Sequence, residues 1–235
     1  MLKKMSSHGP FSTKPADSPP SRASRRLFRV GEMPTSRIEA FSDGVFAIVI
    51  TLLIFSIQVP QLRGSEVSPA LAAALHAMVP KFLSYALSFA IACVWWVSHH
   101  HLFALLTKSD RGLLWLNSLF LFWLASVPFP TALLGDYPQE RLAVLCYGAV
   151  MMMAGVSFSL MRFYAFYIGK LTAPGLNRKL LKRAMIKSAL NPLLHLMAMG
   201  FVFVKTAIAL AFYAAIPILF FVPTRLDHYS VTTPD

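Results

Sequence analysis

The feature of this sequence that most constrains its fold is a series of long apolar segments separated by short polar ones. Hydrophobic residues make up 56% of the 235 residues and charged residues only 14%, whereas a globular domain averages about 25% charged residues. A hydrocarbon core about 30 Å thick needs about 20 residues of apolar helix per crossing, and such segments recur from Ser36 onward. They predict an all-α integral membrane protein and exclude a disordered chain.

The excess of basic residues, a formal charge of +12, has two interpretations. Nucleic-acid-binding proteins collect their basic residues on one water-soluble face, whereas here the basic residues lie between apolar segments. They are therefore interpreted as determinants of membrane orientation, and no nucleic-acid partner is predicted.

Six membrane-spanning helices are predicted. They cover residues 37–59, a second helix with its apolar centre at 82–97, residues 113–134, residues 142–168, and a segment at 185–222 that crosses twice if it turns near 200–205. The predicted domains are a disordered basic cytoplasmic tail at 1–34, a six-span domain at 35–223 and a short cytoplasmic tail at 224–235.

The distribution of Lys and Arg predicts the orientation in the cell membrane, because basic residues are retained on the cytoplasmic side. Basic residues are concentrated before the first span, between the second and third, and between the fourth and fifth. The opposite connections carry only Arg63, Lys81, Arg141 and Lys205. Six spans with both termini cytoplasmic fit this pattern; a five-span alternative would place the C-terminus outside.

The first predicted span opens with three ionisable residues, Arg37, Glu39 and Asp43. Charges inside a membrane helix are costly and are retained mainly for pairing or function. Arg37 and Glu39 can reach the headgroups, but Asp43 lies deeper and needs a partner within the protein.

An apolar stripe follows the same helix at spacings of three, four and seven residues. Its members are Phe41, Val45, Ile48, Thr51 or Leu52, and Phe55. Asp43 lies about 140° around the helix from Ile48 at 3.6 residues per turn. We therefore expect Ser42 and Asp43 to bond neighbouring helices instead of lining a pore with Ile48.

The opening of this span, Arg37-x-x-x-Phe41-Ser42-Asp43 followed by Gly44 to Leu53, resembles the first-span signature of the transmembrane protein 175 family of potassium channels, in its single-repeat prokaryotic branch. Further similarity lies in Trp95-Trp96 and the histidines after it, in Leu116-Asn117-x-Leu119-Phe120, and in Pro128-Phe129-Pro130-Thr131. The resemblance extends over about residues 37–222.

This resemblance implies a homotetramer of six-span subunits with a central pore lined by the first helix of each copy. It implies a potassium-permeable cation channel in which Ile48 is the principal constriction, Leu52 the next, and Phe55 lies toward the outer end. Thr51 would supply a hydroxyl to a partly dehydrated ion. The chain contains no Thr-Val-Gly-Tyr-Gly stretch, and an apolar ring acts mainly as a size and dewetting barrier, so modest selectivity is expected.

Polar residues elsewhere are assigned structural roles. Three consecutive histidines, His99, His100 and His101, point about 100° apart on a helix and cannot easily converge on one metal ion. One of them is expected to bond Asp43 or Asn117, whose amide can bridge membrane helices. Arg162 is expected either to extend to the cytoplasmic face or to pair with a carboxylate.

Other functional classes receive less support. No His-Glu-x-x-His, Gly-x-Ser-x-Gly or phosphate-loop pattern occurs, so neither an enzyme nor a cofactor is predicted, and potassium is the only ion implied. A secondary transporter is an alternative, but the chain lacks an internal repeat and the first span is unbroken. A non-conducting membrane scaffold also remains open. The basic tail is predicted to bind anionic lipid headgroups.

Overall fold

The computed structural model describes residues 34–61 and 67–221. These residues form eight α-helices: α1 Thr35–Leu52, α2 Val67–Ala77, α3 Val79–Ala104, α4 Arg111–Ala125, α5 Pro128–Asp136, α6 Arg141–Phe163, α7 Arg178–Phe201 and α8 Thr206–Phe221. A 3₁₀ turn at Leu53–Ser56 extends α1, and a π-helical turn at Tyr164–Ile168 extends α6. The helical class is confirmed, whereas the predicted tails at 1–34 and 224–235 lie outside the described residues except for Pro34.

Four helical segments of the described chain are long and apolar enough to cross a membrane. They are Thr35–Ser56, Val79–Ala104, Arg111–Asp136 and Arg141–Ile168. They agree with the first four predicted spans to within a few residues, although the third is not a single regular helix. Pro128 lacks an amide hydrogen, and α4 ends three residues before it, at Ala125. Val127 then donates to the Leu124 carbonyl at 3.1 Å.

The C-terminal region departs further from the prediction. The predicted fifth span begins at Met185, but α7 begins at Arg178, where the Asn177 side chain accepts a hydrogen bond from Lys179 N at 2.8 Å. Much of the predicted basic loop is therefore helical. The predicted turn near residues 200–205 agrees with the break between α7, which ends at Phe201, and α8, which begins at Thr206.

Helix α6 lies at the centre of the subunit and packs against α4, α5, α7 and α8. It buries large side chains along its length, among them Tyr147, Met151 and Phe158. Gly148 allows α8 to approach closely, because a Cβ atom there would overlap the Tyr213 hydroxyl. Tyr147 also lies 3.2 Å from the Ser88 hydroxyl, which in turn lies 2.7 Å from that of Thr131. Hydroxyl groups thus join α3, α5 and α6 inside the core.

A proline within α7 requires an unusual contact with α6. Pro192 has no amide hydrogen, so it cannot bond the carbonyl of Ser188 four residues earlier. The Ser159 hydroxyl of α6 lies 3.0 Å from that carbonyl oxygen and 2.8 Å from the Gly155 carbonyl of its own helix, so its single hydrogen is shared between the two acceptors. Gly155, one turn earlier on α6, leaves room for Asn191 and Pro192. The backbone gap in α7 is therefore closed by its neighbour.

Candidate pore-lining helix and its polar anchors

Helix α1 has two distinct faces. One face is buried against α3 and α4 through Ile38, Ser42, Phe46 and Val49, and Leu53 continues it into the 3₁₀ turn. The Phe46 ring contacts the rings of His99 and Phe120, with centroids 5.7 and 6.0 Å away. Because these residues recur every three or four positions, they fix which side of α1 points away from the subunit.

The predicted stripe lies on the uncovered side of α1. Ile48 is 59% exposed and Phe55 is 72% exposed. Phe41, Thr51 and Leu52 are exposed as well, and Val45 is half-buried. Ala47 and Gly44 are also uncovered, so this face combines bulky apolar side chains with small ones. Within one subunit, the described residues leave it available to lipid, to a lumen or to another copy of the chain.

Thr51 is the polar member of this face. Its hydroxyl lies 2.9 Å from the carbonyl oxygens of Ala47 and Ile48 and donates its single hydrogen within the helix. The hydroxyl oxygen keeps lone pairs that can accept a hydrogen bond or coordinate a cation.

A chain of three buried side chains joins α1 to α3 and α4. The Asn117 amide nitrogen donates to the Ser42 hydroxyl oxygen at 3.0 Å, and Ser42 donates to the Ile38 carbonyl at 2.8 Å. The amide oxygen of Asn117 lies 3.0 Å from His99 Nε2. Since an amide oxygen can only accept, this bond requires the His99 tautomer with a hydrogen on Nε2. All three side chains are at most 2% exposed.

Asp43 is bonded by Trp96 and not by one of the histidines that the sequence analysis proposed as its partner. The indole nitrogen of Trp96 donates to Asp43 Oδ1 at 3.0 Å, and the Trp96 ring stacks on His100. The sequence analysis used Trp96 only as part of the family resemblance and overlooked its N–H group, which can only donate and therefore suits a carboxylate at the same depth. His100 and Arg37 are both exposed, and the structure places neither within the Ser42–Asn117–His99 chain.

Arg162 provides the second correction. Its guanidinium donates to the carbonyl oxygens of Ala184 at 3.1 Å and Ser98 at 3.2 Å, and it lies 4.8 Å from the centre of the Phe158 ring. The side chain is 8% exposed. It therefore neither reaches the solvent nor pairs with a carboxylate of the described residues. The described residues also contain no group of three or more His, Cys, Asp or Glu side chains that could hold a metal ion.

Comparison with known proteins identifies the family. Residues 37–128, which include α1, α3 and α4, match the family model described as the endosomal/lysosomal potassium channel TMEM175. A potassium channel of Streptomyces collinus is 36% identical over 75% of this chain and 86% of its own length. The chain belongs to the TMEM175 family. The resemblance inferred from the first span is thereby confirmed.

Other members of the TMEM175 family support the same assignment over most of the chain. A potassium channel of Chamaesiphon minutus is 36% identical over 77% of this chain and 92% of its own length. The crystal structure of a lysosomal potassium-selective channel TMEM175 homologue from that organism superimposes with a TM-score of 0.70 at 34% identity. It covers 79% of this chain and 95% of the other. The architecture thus extends beyond the matched N-terminal helices.

Proposed function

We propose that this chain is a subunit of a potassium-permeable, modestly selective cation channel whose pore is lined by α1. Membership of the TMEM175 family supports the proposal, since its relatives from Streptomyces and Chamaesiphon are named potassium channels. The uncovered stripe on α1 adds a geometric argument. An exposed apolar face would suit lipid equally well, and it is the combination with family membership that favours a pore.

The proposed assembly is a homotetramer in which each α1 contributes Ile48 to a central constriction. Leu52 and Phe55 narrow the pore toward its outer end, and Thr51 offers an oxygen to an ion that has lost part of its hydration shell. Ser42, His99 and Asn117 act as a structural anchor that holds α1 at the required rotation. Asp43 assists through Trp96, while Arg37, Phe41 and His100 remain exposed signature residues of the same region.

Helices α7 and α8 are proposed as the fifth and sixth spans. Helix α7 has 24 residues and is therefore roughly 36 Å long at 1.5 Å per residue, enough to cross the hydrocarbon core. Six spans place both termini in the cytoplasm, where residues 1–34 form a basic tail that contacts anionic headgroups. Deleting that tail should reduce binding to anionic liposomes; unchanged binding would contradict this role.

An apolar constriction sets a limit on selectivity. Isoleucine side chains cannot replace the water ligands of an ion, so the ring excludes ions according to the cost of removing their water. Potassium releases its water more readily than sodium and should pass with less difficulty. We expect a preference for potassium that is weaker than that of a carbonyl-lined filter.

The test is potassium and sodium flux into liposomes that contain the purified protein or its Ile48→Asn variant. Wild-type flux should favour potassium, and Ile48→Asn should lose that preference because a polar ring removes the dewetting barrier. Ile186→Asn is the matched control, since Ile186 on α7 is the same residue type and is 60% exposed, compared with 59% for Ile48. It should retain the wild-type preference.

The alternative functions give different results in the same assay. Slow flux that saturates with substrate would indicate a secondary transporter, and absence of flux would indicate a scaffold. If Ile48→Asn and Ile186→Asn changed the preference for potassium equally, this result would contradict the proposal that α1 lines the pore.

A further inference from the structure

A cavity of about 270 Å³ lies between α3, α6, α7 and α8, away from the exposed stripe of α1. Its lining combines polar and aromatic side chains, including Ser98, Phe158, Arg162, Lys187, Asn191 and Phe220. Its volume is close to the lower end of small-molecule pockets, which begin at roughly 300 Å³. The space suits a headgroup-sized ligand and is too small for a whole lipid.

The cavity contains a buried positive charge that has no negative partner among the described residues. Within residues 34–61 and 67–221, no carboxylate forms an ion pair with Arg162, whose two terminal nitrogens donate to backbone carbonyls. Its Nε atom is buried and has no hydrogen-bond partner. A buried guanidinium that is neither paired nor fully hydrogen-bonded carries a large desolvation cost. An anion in the cavity would offset that cost.

A second cation and an unpaired acceptor line the same space. Lys187 of α7 is half-buried and lies 5.8 Å from the centre of the Phe220 ring. The amide oxygen of Asn191, one turn further along α7, is buried and unbonded. It can accept a hydrogen bond only from a donor, such as a hydroxyl group. The cavity therefore offers donors to an anion and an acceptor to a neighbouring hydroxyl.

The depth of Arg162 in the membrane narrows the identity of this anion. The span Arg141–Ile168 has 28 residues, and Arg162 lies about 11 Å from its midpoint at 1.5 Å per residue. The hydrocarbon core extends about 15 Å to each side of the bilayer centre. Arg162 therefore lies about 4 Å inside the edge of the hydrocarbon core, just below the headgroup layer. The basic first half of α7 begins at Arg178 and attracts anionic lipids to the same side.

We propose that this cavity binds an anionic phospholipid through its phosphate, which lies at Arg162 and Lys187, with the acyl chains directed toward the bilayer centre. The aromatic wall formed by Phe158 and Phe220 accommodates the glycerol and the first acyl carbons. The site does not involve α1 and its occupancy does not depend on ion conduction.

The test is native mass spectrometry of the detergent-purified protein titrated with phosphatidylglycerol or with zwitterionic phosphatidylcholine. We expect retained phosphatidylglycerol adducts at concentrations where phosphatidylcholine leaves none. Lys187→Gln should weaken phosphatidylglycerol binding roughly tenfold, the size expected from one charge-assisted hydrogen bond. Lys182→Gln is the matched control, because Lys182 lies on the same helix and is exposed. This variant should bind phosphatidylglycerol with the affinity of the wild type.

Three results would overturn the proposal. Equal losses in Lys187→Gln and Lys182→Gln would mean that lipids respond only to the general charge of α7. Equal retention of phosphatidylglycerol and phosphatidylcholine would mean that the phosphate site has no anion preference. Displacement of phosphatidylglycerol by millimolar inorganic phosphate would assign the cavity to free phosphate.

Discussion

Two of the buried polar clusters among the described residues differ in whether their hydrogen bonds are complete. Between α1, α3 and α4, the Ser42, Asn117 and His99 side chains bond one another. Between α3, α6 and α7, Arg162 Nε and Asn191 Oδ1 are buried without a partner beside a cavity. A closed network holds helices in place, whereas an open one leaves groups available to a ligand. The first cluster is therefore the structural one, and the second is the better place to look for binding.

The largest effect is expected from a substitution that removes the hydrogen bonds of the first cluster. Asn117→Leu removes a donor and an acceptor together. The buried Ser42 oxygen loses its donor, although Ser42 still donates to the Ile38 carbonyl, and His99 Nε2 is left buried without an acceptor. Each such group costs about 1–3 kcal/mol, and we expect a loss of roughly 2–4 kcal/mol, measured as a lower midpoint of thermal unfolding in detergent. Ser118→Ala on the next, exposed position should leave the midpoint unchanged. A stable Asn117→Leu protein would show that the network contributes little.

A smaller effect tests whether α6 and α8 are tightly packed away from the cavity of the second cluster. Gly148→Ala would place a methyl group against the Tyr213 hydroxyl and within 2.6 Å of Met199 Cγ. Overpacking of this kind costs about 1–3 kcal/mol, again visible as a lower unfolding midpoint. Gly200→Ala is the control, because nothing lies within 4 Å of the added methyl. Similar midpoints for both variants would indicate that α6 and α8 are loosely packed throughout.

The smallest effect is expected at Asp43. It tests whether this side chain stabilises the protein through its hydrogen bond to Trp96 or through its negative charge. Asp43→Asn keeps an oxygen that can accept from Trp96 and should change the unfolding midpoint little. Asp43→Leu removes the acceptor and should cost about 1 kcal/mol, the usual net worth of one hydrogen bond. If both substitutions destabilise the protein equally, the negative charge of Asp43 matters more than its bond to Trp96.

The sequence was most informative where periodicity and hydropathy act alone. The exposed stripe on α1 follows from spacings of three and four residues, and the first four spans follow from apolar length. Trp96 could not be assigned to Asp43 in this way, because two residues 53 positions apart meet only through helix packing. The partners of Arg162 could not be predicted either, because they are backbone carbonyls, which the side-chain pattern of a sequence does not reveal.

Helix α7 shows how polarity within one helix can mislead such a prediction. Its first ten residues include five basic ones, so an apolar window detects only the later part. The break after α4 was missed for a different reason: Pro128 and Pro130 lie within a strongly apolar segment, where hydropathy records composition but not the loss of a backbone donor.

The proline in α7 also bears on how the chain enters a membrane. A helix that carries basic residues, an asparagine, a histidine and an unbonded Ser188 carbonyl would partition poorly into lipid by itself, because each unsatisfied backbone group costs several kcal/mol there. The Ser159 hydroxyl that satisfies this carbonyl belongs to α6, which is apolar enough to insert alone. In the proposed six-span topology, the unit that is stable in the bilayer is therefore the hairpin of α6 and α7. We expect the insertion machinery to release α6 and α7 together, after both have been synthesised, because α7 is stable in lipid only when it packs against α6.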